Sequence, residues 1–262
     1  MTMPALKDQV ALITGAARGI GRGIALRFGA EGAAVGVFDR NRTEAEAAAG
    51  EILSAGGRAI AIHGDVADAG DVRHAIEETG RAFGPATVLV HNAAILPAGT
   101  IEETSEDAWD QVFAVNVKGA YLAAREVLPC MRKAGGGSII FMSSITGVNG
   151  FPGMAAYSST KGALISLARA MAIDYARERI RVNCVSPGTV DSPMLRDFVA
   201  AQPDPQRTRQ AFDQVQPRGR VGTIEEIVGV FVFLASAEST FVSGANFIVD
   251  GGMSIKGDQP RL

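Results

Sequence analysis

The chain of 262 residues has only two cysteines, Cys130 and Cys184, far apart and without the short spacing of a metal site. They read as buried thiols of a cytosolic protein, and no metal cluster is expected. No apolar run is long enough to span a bilayer, and the opening stretch Met1–Asp8 lacks the apolar core of a secretory signal. A cytoplasmic location away from membranes is therefore expected. Charge of one sign is also missing: 25 Lys and Arg face 28 Asp and Glu, spread along the chain for a net −3. That balance argues against nucleic acid as a partner and against an acidic disordered tail. Repeats, linkers and low-complexity segments are absent too, so a single domain over 1–262 is expected.

What is present is alternation. Short apolar runs occur at Val10–Thr14, Ala33–Phe38, Ala59–Ile62, Thr87–Val90, Ser138–Met142, Arg181–Val185 and Asn246–Val249. Runs of this length suit strands buried on both faces of a parallel sheet. Helical patterns lie between them, at Arg22–Ala30, Thr43–Ala55, Ala69–Phe83, Asp107–Lys133, Ala156–Arg177 and Ile224–Ser236. The order implies βαβ units: an α/β, Rossmann-like, doubly wound parallel sheet of about seven strands, with helices on both faces. Residues 191–220 break the rhythm with four prolines, several arginines and no clear strand. They read as an irregular substrate-binding insertion at the carboxyl edge of the sheet, where open α/β folds bind ligands.

The first strand runs into Thr14-Gly15-Ala16-Ala17-Arg18-Gly19-Ile20-Gly21, which opens the first helix. Glycines there let the backbone approach a pyrophosphate, and a helix N-terminus offers amide donors. Asp39, at the end of the second strand, can accept from both ribose hydroxyls of NAD and repels a 2′-phosphate. Arg18 and Arg40 leave NADP open, since either guanidinium suits that phosphate. Asp65 and Val66 end the third strand, where an acidic side chain could meet the adenine. Asn92 and Ala93 follow the fourth, where small residues admit the adenosine ribose. Farther on, Tyr157 and Lys161 are four apart on one helix face. An ammonium beside a phenol favours the phenolate, so the pair can make a general base.

Together these pieces resemble the short-chain dehydrogenase/reductase family over Leu6 to Gly252. The matching motifs are the Thr14–Gly21 turn, Asp65-Val66, Asn92-Ala93, Asn116 between two valines, Ser143-Ser144, Tyr157 with Lys161, Asn183, Pro187–Val190 and Val249–Gly252. His91-Asn92-Ala93-Ala94 departs from the family's usual N-N-A-G, and an imidazole could replace the first Asn in holding the strand. Ser192 stands where Thr is common and keeps the hydroxyl. The resemblance implies that Tyr157 is the general acid and base, and that Lys161 lowers its pKa and binds the nicotinamide ribose. It implies that Ser144, 13 residues earlier, holds the substrate oxygen, and that Asn116 anchors a water leading from Lys161 to solvent. Pro187, Gly188, Val190 and Ser192 are implied at the nicotinamide end.

The implied activity is exchange of a secondary alcohol and a ketone with a nicotinamide cofactor, NAD by the argument from Asp39. The small-molecule substrate is expected to be polar: a sugar, sugar acid, polyol or hydroxy acid. Its pocket is expected between Leu96–Gly99, Ile145–Met154 and the 191–218 segment. Arg196, Arg207, Arg209, Arg218 and Arg220 suit an anionic substrate group, Arg218 most of all; a solvated face balanced by Asp197, Asp204 and Asp213 is an equal reading. The alternatives are an NADPH-dependent 3-oxoacyl-[acyl carrier protein] reductase and a non-catalytic dinucleotide sensor. The excess apolar surface on the helices at 107–133 and 156–177 suggests a homotetramer. The tail Met253–Leu262 is a candidate to reach a neighbouring subunit.

Overall fold

The computed structural model describes residues 4–257. Seven strands form one parallel sheet: β1 (Val10–Thr14), β2 (Ala34–Asp39), β3 (Arg58–His63), β4 (Val88–His91), β5 (Gly137–Met142), β6 (Ile180–Pro187) and β7 (Asn246–Val249), in the order β3-β2-β1-β4-β5-β6-β7. The chain winds outward from β1 to β3, then returns to β4 and winds the other way. The switch point therefore lies between β1 and β4, whose last residues Thr14 and His91 pair in register. A crevice opens there at the carboxyl edge, where doubly wound sheets take ligands.

Helices α1 (Gly19–Ala30), α2 (Arg42–Ser54) and α9 (Ile224–Ala235) cover one face, burying Ile24, Phe28, Ile52 and Phe231. Helices α3 (Ala69–Phe83), α5 (Gly119–Ala134) and α6 (Ala155–Asp174) cover the other, burying Val72, Val127 and Leu164. With both faces covered, β1 and β4 are buried at every position, which is why they read as unbroken apolar runs. Close approach is built in where α1 crosses α9: a Cβ on Gly23 would lie 2.3 Å from Ile224.

Three elements differ from the sequence pattern. The expected helix over 107–133 is divided into α4 (Glu106–Phe113), a π-helical turn at Ala114–Lys118, and α5. The π turn adds a residue to the winding, a feature common at functional sites, and it carries Asn116, which is fully buried. The insertion is not irregular: it holds α7 (Pro193–Ala200) and α8 (Pro205–Val215), each opened by a proline in its first turn and capped by Ser192 or Asp204. Cys184 is buried as expected, but Cys130 only half-buried. The tail also folds back on its own chain. Ser254 O accepts from Asn149 Nδ2 at 3.2 Å, and Gln216 Nε2 donates to Met253 Sδ at 3.3 Å. The rest of the tail, residues 258–262, lies outside the described residues. Among the described residues no helix is long and apolar enough to cross a membrane.

Candidate active site

β1 ends in the glycine turn, and the turn is clamped from β4. Gly15 (φ +63) and Gly19 (φ +60) sit in left-handed backbone. A Cβ on Gly15 would meet Ala93 Cα at 2.7 Å, and one on Gly21 would meet Gly15 O at 2.1 Å. Asn92 Nδ2 donates to Thr14 O at 3.2 Å and Gly15 O at 2.8 Å. Asn92 thus shapes the turn with its amide. Arg18 is the N-cap of α1 yet makes no side-chain cap hydrogen bond, and the first turn holds no acidic residue. The first amides of α1 therefore keep their hydrogen-bonding capacity and positive potential for an anion. By contrast, α2, α3, α4, α7, α8 and α9 are all capped by a side chain.

Asp39 is fixed beside this turn. Its Oδ2 accepts from Ala17 N and its Oδ1 from Asn41 N, both at 3.0 Å. Each carboxylate oxygen keeps a further acceptor site for a hydroxyl. Arg40 is exposed next to it. Arg18 turns away, pairing with Asp197 of α7 at 3.4 Å. Asp65 closes its own turn by accepting from Ala67 N at 2.8 Å, and Val66 packs under the start of α5, where a Cβ on Gly119 would touch it at 2.9 Å. A bare helix N-terminus, a glycine cradle too tight for Cβ atoms and an oriented carboxylate fit a dinucleotide: the turn with Ile20 for its pyrophosphate, Asp39 for a ribose.

At the other end of the crevice, β5 runs into Ser143 and Ser144. Ser143 Oγ donates to Lys161 O at 2.8 Å, which ties the strand to α6. Ser144 Oγ accepts from Thr146 N at 3.2 Å, and its hydroxyl is the group that pulls the Tyr157 phenol downward. Gly147 lets this loop lie on α6, since its Cβ would fall 2.7 Å from the Lys161 main chain. Lys161 is 1% exposed; its Nζ donates to Met142 O at 2.7 Å and stands 5.4 Å from the Tyr157 ring centroid. Ser144, Tyr157 and Lys161 thus converge. Their electrostatics differ from expectation, because burial dominates. It raises the Tyr157 phenol well above its ordinary value, with Ser144 pulling back, and it lowers Lys161 to about 7. Desolvation, and not the lysine expected from spacing alone, sets the direction of the phenol's shift.

Asn116 works from the π turn. Its Oδ1 accepts from Ile95 N at 2.9 Å, and its Nδ2 donates to Ile95 O at 3.1 Å and to Thr160 Oγ1 at 3.0 Å. Thr160 in turn donates to Tyr157 O at 2.7 Å. The side chain is therefore committed to protein partners, and any water anchor at this residue falls to its main chain. Sequence reasoning gave no role to Thr160 or to the Thr14 hydroxyl, which accepts from Asn92 N and Ala93 N, both at 3.1 Å. Their places, inside the Tyr-Lys pair and just before the glycine turn, were the available signal.

The remaining predicted residues divide. Pro187 ends β6, and Gly188 N donates to Val249 O at 3.0 Å where a Cβ would meet Asp250 at 2.8 Å. Val190 is buried and bridges to Gly222. Ser192 spends an acceptor site on Leu195 N at 3.4 Å as the cap of α7, leaving its proton free. The expected pocket walls meet: Gly99 N donates to Gly153 O at 2.8 Å. Most of the insertion's arginines are neutralised. Arg196 and Arg209 both reach Asp191, and Arg220 forks onto Glu226. Arg218 instead lines a cavity of about 300 Å³ with Thr189, Gln216 and Asp250, to which Ser144, Tyr157 and Lys161 do not contribute.

The family model described as "Enoyl-(Acyl carrier protein) reductase" matches residues 15–254. An uncharacterized oxidoreductase of Thermotoga maritima is 41% identical over 94% of this chain and 97% of its own. The 2-(S)-hydroxypropyl-CoM dehydrogenase 3 of Xanthobacter autotrophicus is 39% identical over 95% and 98%, and the meso-2,3-butanediol dehydrogenase of Serratia marcescens 35% over 97% and 98%. A crystal structure assigned to the short-chain dehydrogenases/reductases, from Burkholderia xenovorans, superposes with TM-score 0.93 at 31% identity, covering 97% of this chain and all of that one. By its motifs, its sheet order and these likenesses, the chain belongs to the short-chain dehydrogenase/reductase family.

Proposed function

We propose that this protein is an NAD(H)-dependent oxidoreductase that interconverts a small polar secondary alcohol and its ketone. The observation that carries the reading is the convergence of the Ser144 hydroxyl, the Tyr157 phenol and the buried Lys161 ammonium at the carboxyl edge of the sheet. Tyr157 gives the proton to the forming alkoxide in reduction and takes it in oxidation. Ser144 donates to the same oxygen and holds it in place. Lys161 supplies positive charge behind the phenol and, through the Asn116 side of the site, passes the proton toward solvent. The nicotinamide, when bound, supplies the hydride exchange. Gly15 to Gly21 would seat its pyrophosphate. Pro187, Gly188, Val190 and Ser192 would flank the ring.

NAD is favoured over NADP by Asp39, whose carboxylate is pinned by two backbone amides and so faces a 2′-phosphate as a fixed negative charge. A small substrate accords with relatives named for butanediol and hydroxypropyl-CoM. Assembly into a tetramer is supported by apolar side chains left in water: Ile173 on α6, Ile248 on the edge strand β7, and Phe241 in the segment before it. The test is a turnover screen of the purified protein with NAD and NADP over diols, polyols, aldoses, hydroxy acids and acyl thioesters. Oxidation of small polar alcohols with NAD is expected. Turnover confined to hydrophobic alcohols or acyl thioesters overturns the reading.

A further inference from the structure

His91 is one of two departures from the family's usual sequence at this strand end, Ala94 being the other, and it sits between the two halves of the site. The ring is 1% exposed and lies edge-on to Phe141, its register partner on β5. Met142, the next residue on β5, is the one that holds the Lys161 ammonium. On the opposite side Nδ1 meets Thr14 Oγ1 at 3.2 Å. The hydroxyl of Thr14 already accepts from Asn92 N and Ala93 N, which uses both its lone pairs. Its proton must therefore go to Nδ1, making Nδ1 the acceptor and leaving the ring proton on Nε2. That Nε2–H is fully enclosed and makes no hydrogen bond of ordinary geometry among the described residues, although the Asn116 main chain bears on the ring. An enclosed donor left unmade is costly, so its surroundings must offer an acceptor.

We propose that His91 is a positioning residue for the proton path: its Nε2–H, aligned by Thr14, holds one internal water against the main-chain oxygen of Asn116, beside Lys161. The inference rests on the reading of Tyr157 and Lys161 as the proton-transfer pair. Buried waters sit where enclosed polar groups lack a direct partner, as this Nε2–H does. The ring stays neutral, since burial first and then the Lys161 charge hold it down at about 3, against a smaller upward pull from the Asn116 backbone. Lys161 on α6 is the charged group that bears on it. The glycine turn and the lysine are thereby joined through one rigid side chain.

Two measurements test this. Nitrogen-15 NMR of histidine-labelled protein, with His91 assigned by its loss in His91→Asn, reads the tautomer without any turnover. The Nε2–H form is expected, with no titration from about pH 5 to about pH 9; a protonated Nδ1, or a midpoint inside that range, overturns the proposal. The second uses His91→Phe, which keeps the ring and removes both polar atoms, and His91→Asn, which keeps a donor and an acceptor. His91→Phe should lower kcat about tenfold or more and displace a limb of its pH profile, with the dinucleotide KM within about threefold. His91→Asn should restore most of kcat. A folded Phe variant with unchanged kcat, a loss confined to KM, or no recovery in the Asn variant overturns the role. Should the Phe variant not fold, the tautomer decides. Full turnover by Tyr157→Phe would instead overturn the proposed function and leave the His91 tautomer untouched.

Discussion

Replacing Lys161 with methionine should abolish turnover and, near neutral pH, stabilise the fold. Burial drops this ammonium from 10.5 to about 7. At about 1.4 kcal/mol for each pH unit, that gap amounts to about 5 kcal/mol of destabilisation wherever folded and unfolded chains both hold the proton. The hydrogen bond from Nζ to the Met142 carbonyl returns about 1.5–3 kcal/mol of this. Methionine keeps the length and apolar stem and carries no charge, so a net gain of about 2–3 kcal/mol is expected below about pH 7. The sign of the pH dependence follows from the folded value lying below the unfolded one. Between about 7 and 10.5 the unfolded chain binds more protons, so stability of the natural protein rises with pH across that window. The variant's advantage should therefore shrink by about 3 kcal/mol from about pH 6 to about pH 9, and be gone near the upper end. Urea unfolding followed by circular dichroism at both values, with equal slopes, is the assay. A variant less stable than the natural protein at about pH 6, or a difference that does not change with pH, refutes the reasoning.

Three further outcomes are expected. Tyr157→Phe removes only the phenolic hydroxyl and should cut kcat about 10²–10⁴-fold while the dinucleotide dissociation constant, read by fluorescence titration, stays within a few-fold. Asp39→Ala removes the negative charge at the end of β2 and should shift the NAD-to-NADP ratio of kcat/KM toward NADP by about tenfold or more; an unchanged ratio would detach cofactor choice from Asp39. Gly147→Val sets a side chain where even a Cβ lies 2.7 Å from the Lys161 main chain. It should cost about 1–3 kcal/mol of stability and depress kcat more than dinucleotide affinity, by chemical denaturation and steady-state kinetics.

Some of this was legible from residues alone and some was not. Strands such as Val10–Thr14 and Val88–His91 could be read because burial on both faces removes the polar alternation that would blur them. The glycine turn was legible because Gly15 and Gly21 are there for close approach, and no other residue meets that need. The break at Asn116 was not, because a π turn differs from an α turn by one residue and leaves the apolar period nearly unchanged. The helices of the insertion were obscured by Pro193 and Pro205, which suggest loops although each opens a helix. The fate of the arginines was also hidden. Arg209 reaches Asp191 across 18 residues and Arg18 reaches Asp197 across 179, and such pairs are set by the tertiary fold.

The site itself shows why spacing is a weaker guide to chemistry than burial. A lysine four residues from a tyrosine predicts a lowered phenol, yet here both groups move toward their neutral forms, the phenol up and the ammonium down. The same low-dielectric pocket causes both shifts, so the fold alone favours Tyr157 as an acid with its proton on. Turning it into a base requires stabilisation of the phenolate at short range, and the groups in reach are the Ser144 hydroxyl and the Lys161 charge. That low dielectric also strengthens each of these contacts. Lys161 is costly to bury in the same low dielectric that strengthens short-range contacts with the phenol, which is why a single substitution should raise stability and remove activity together.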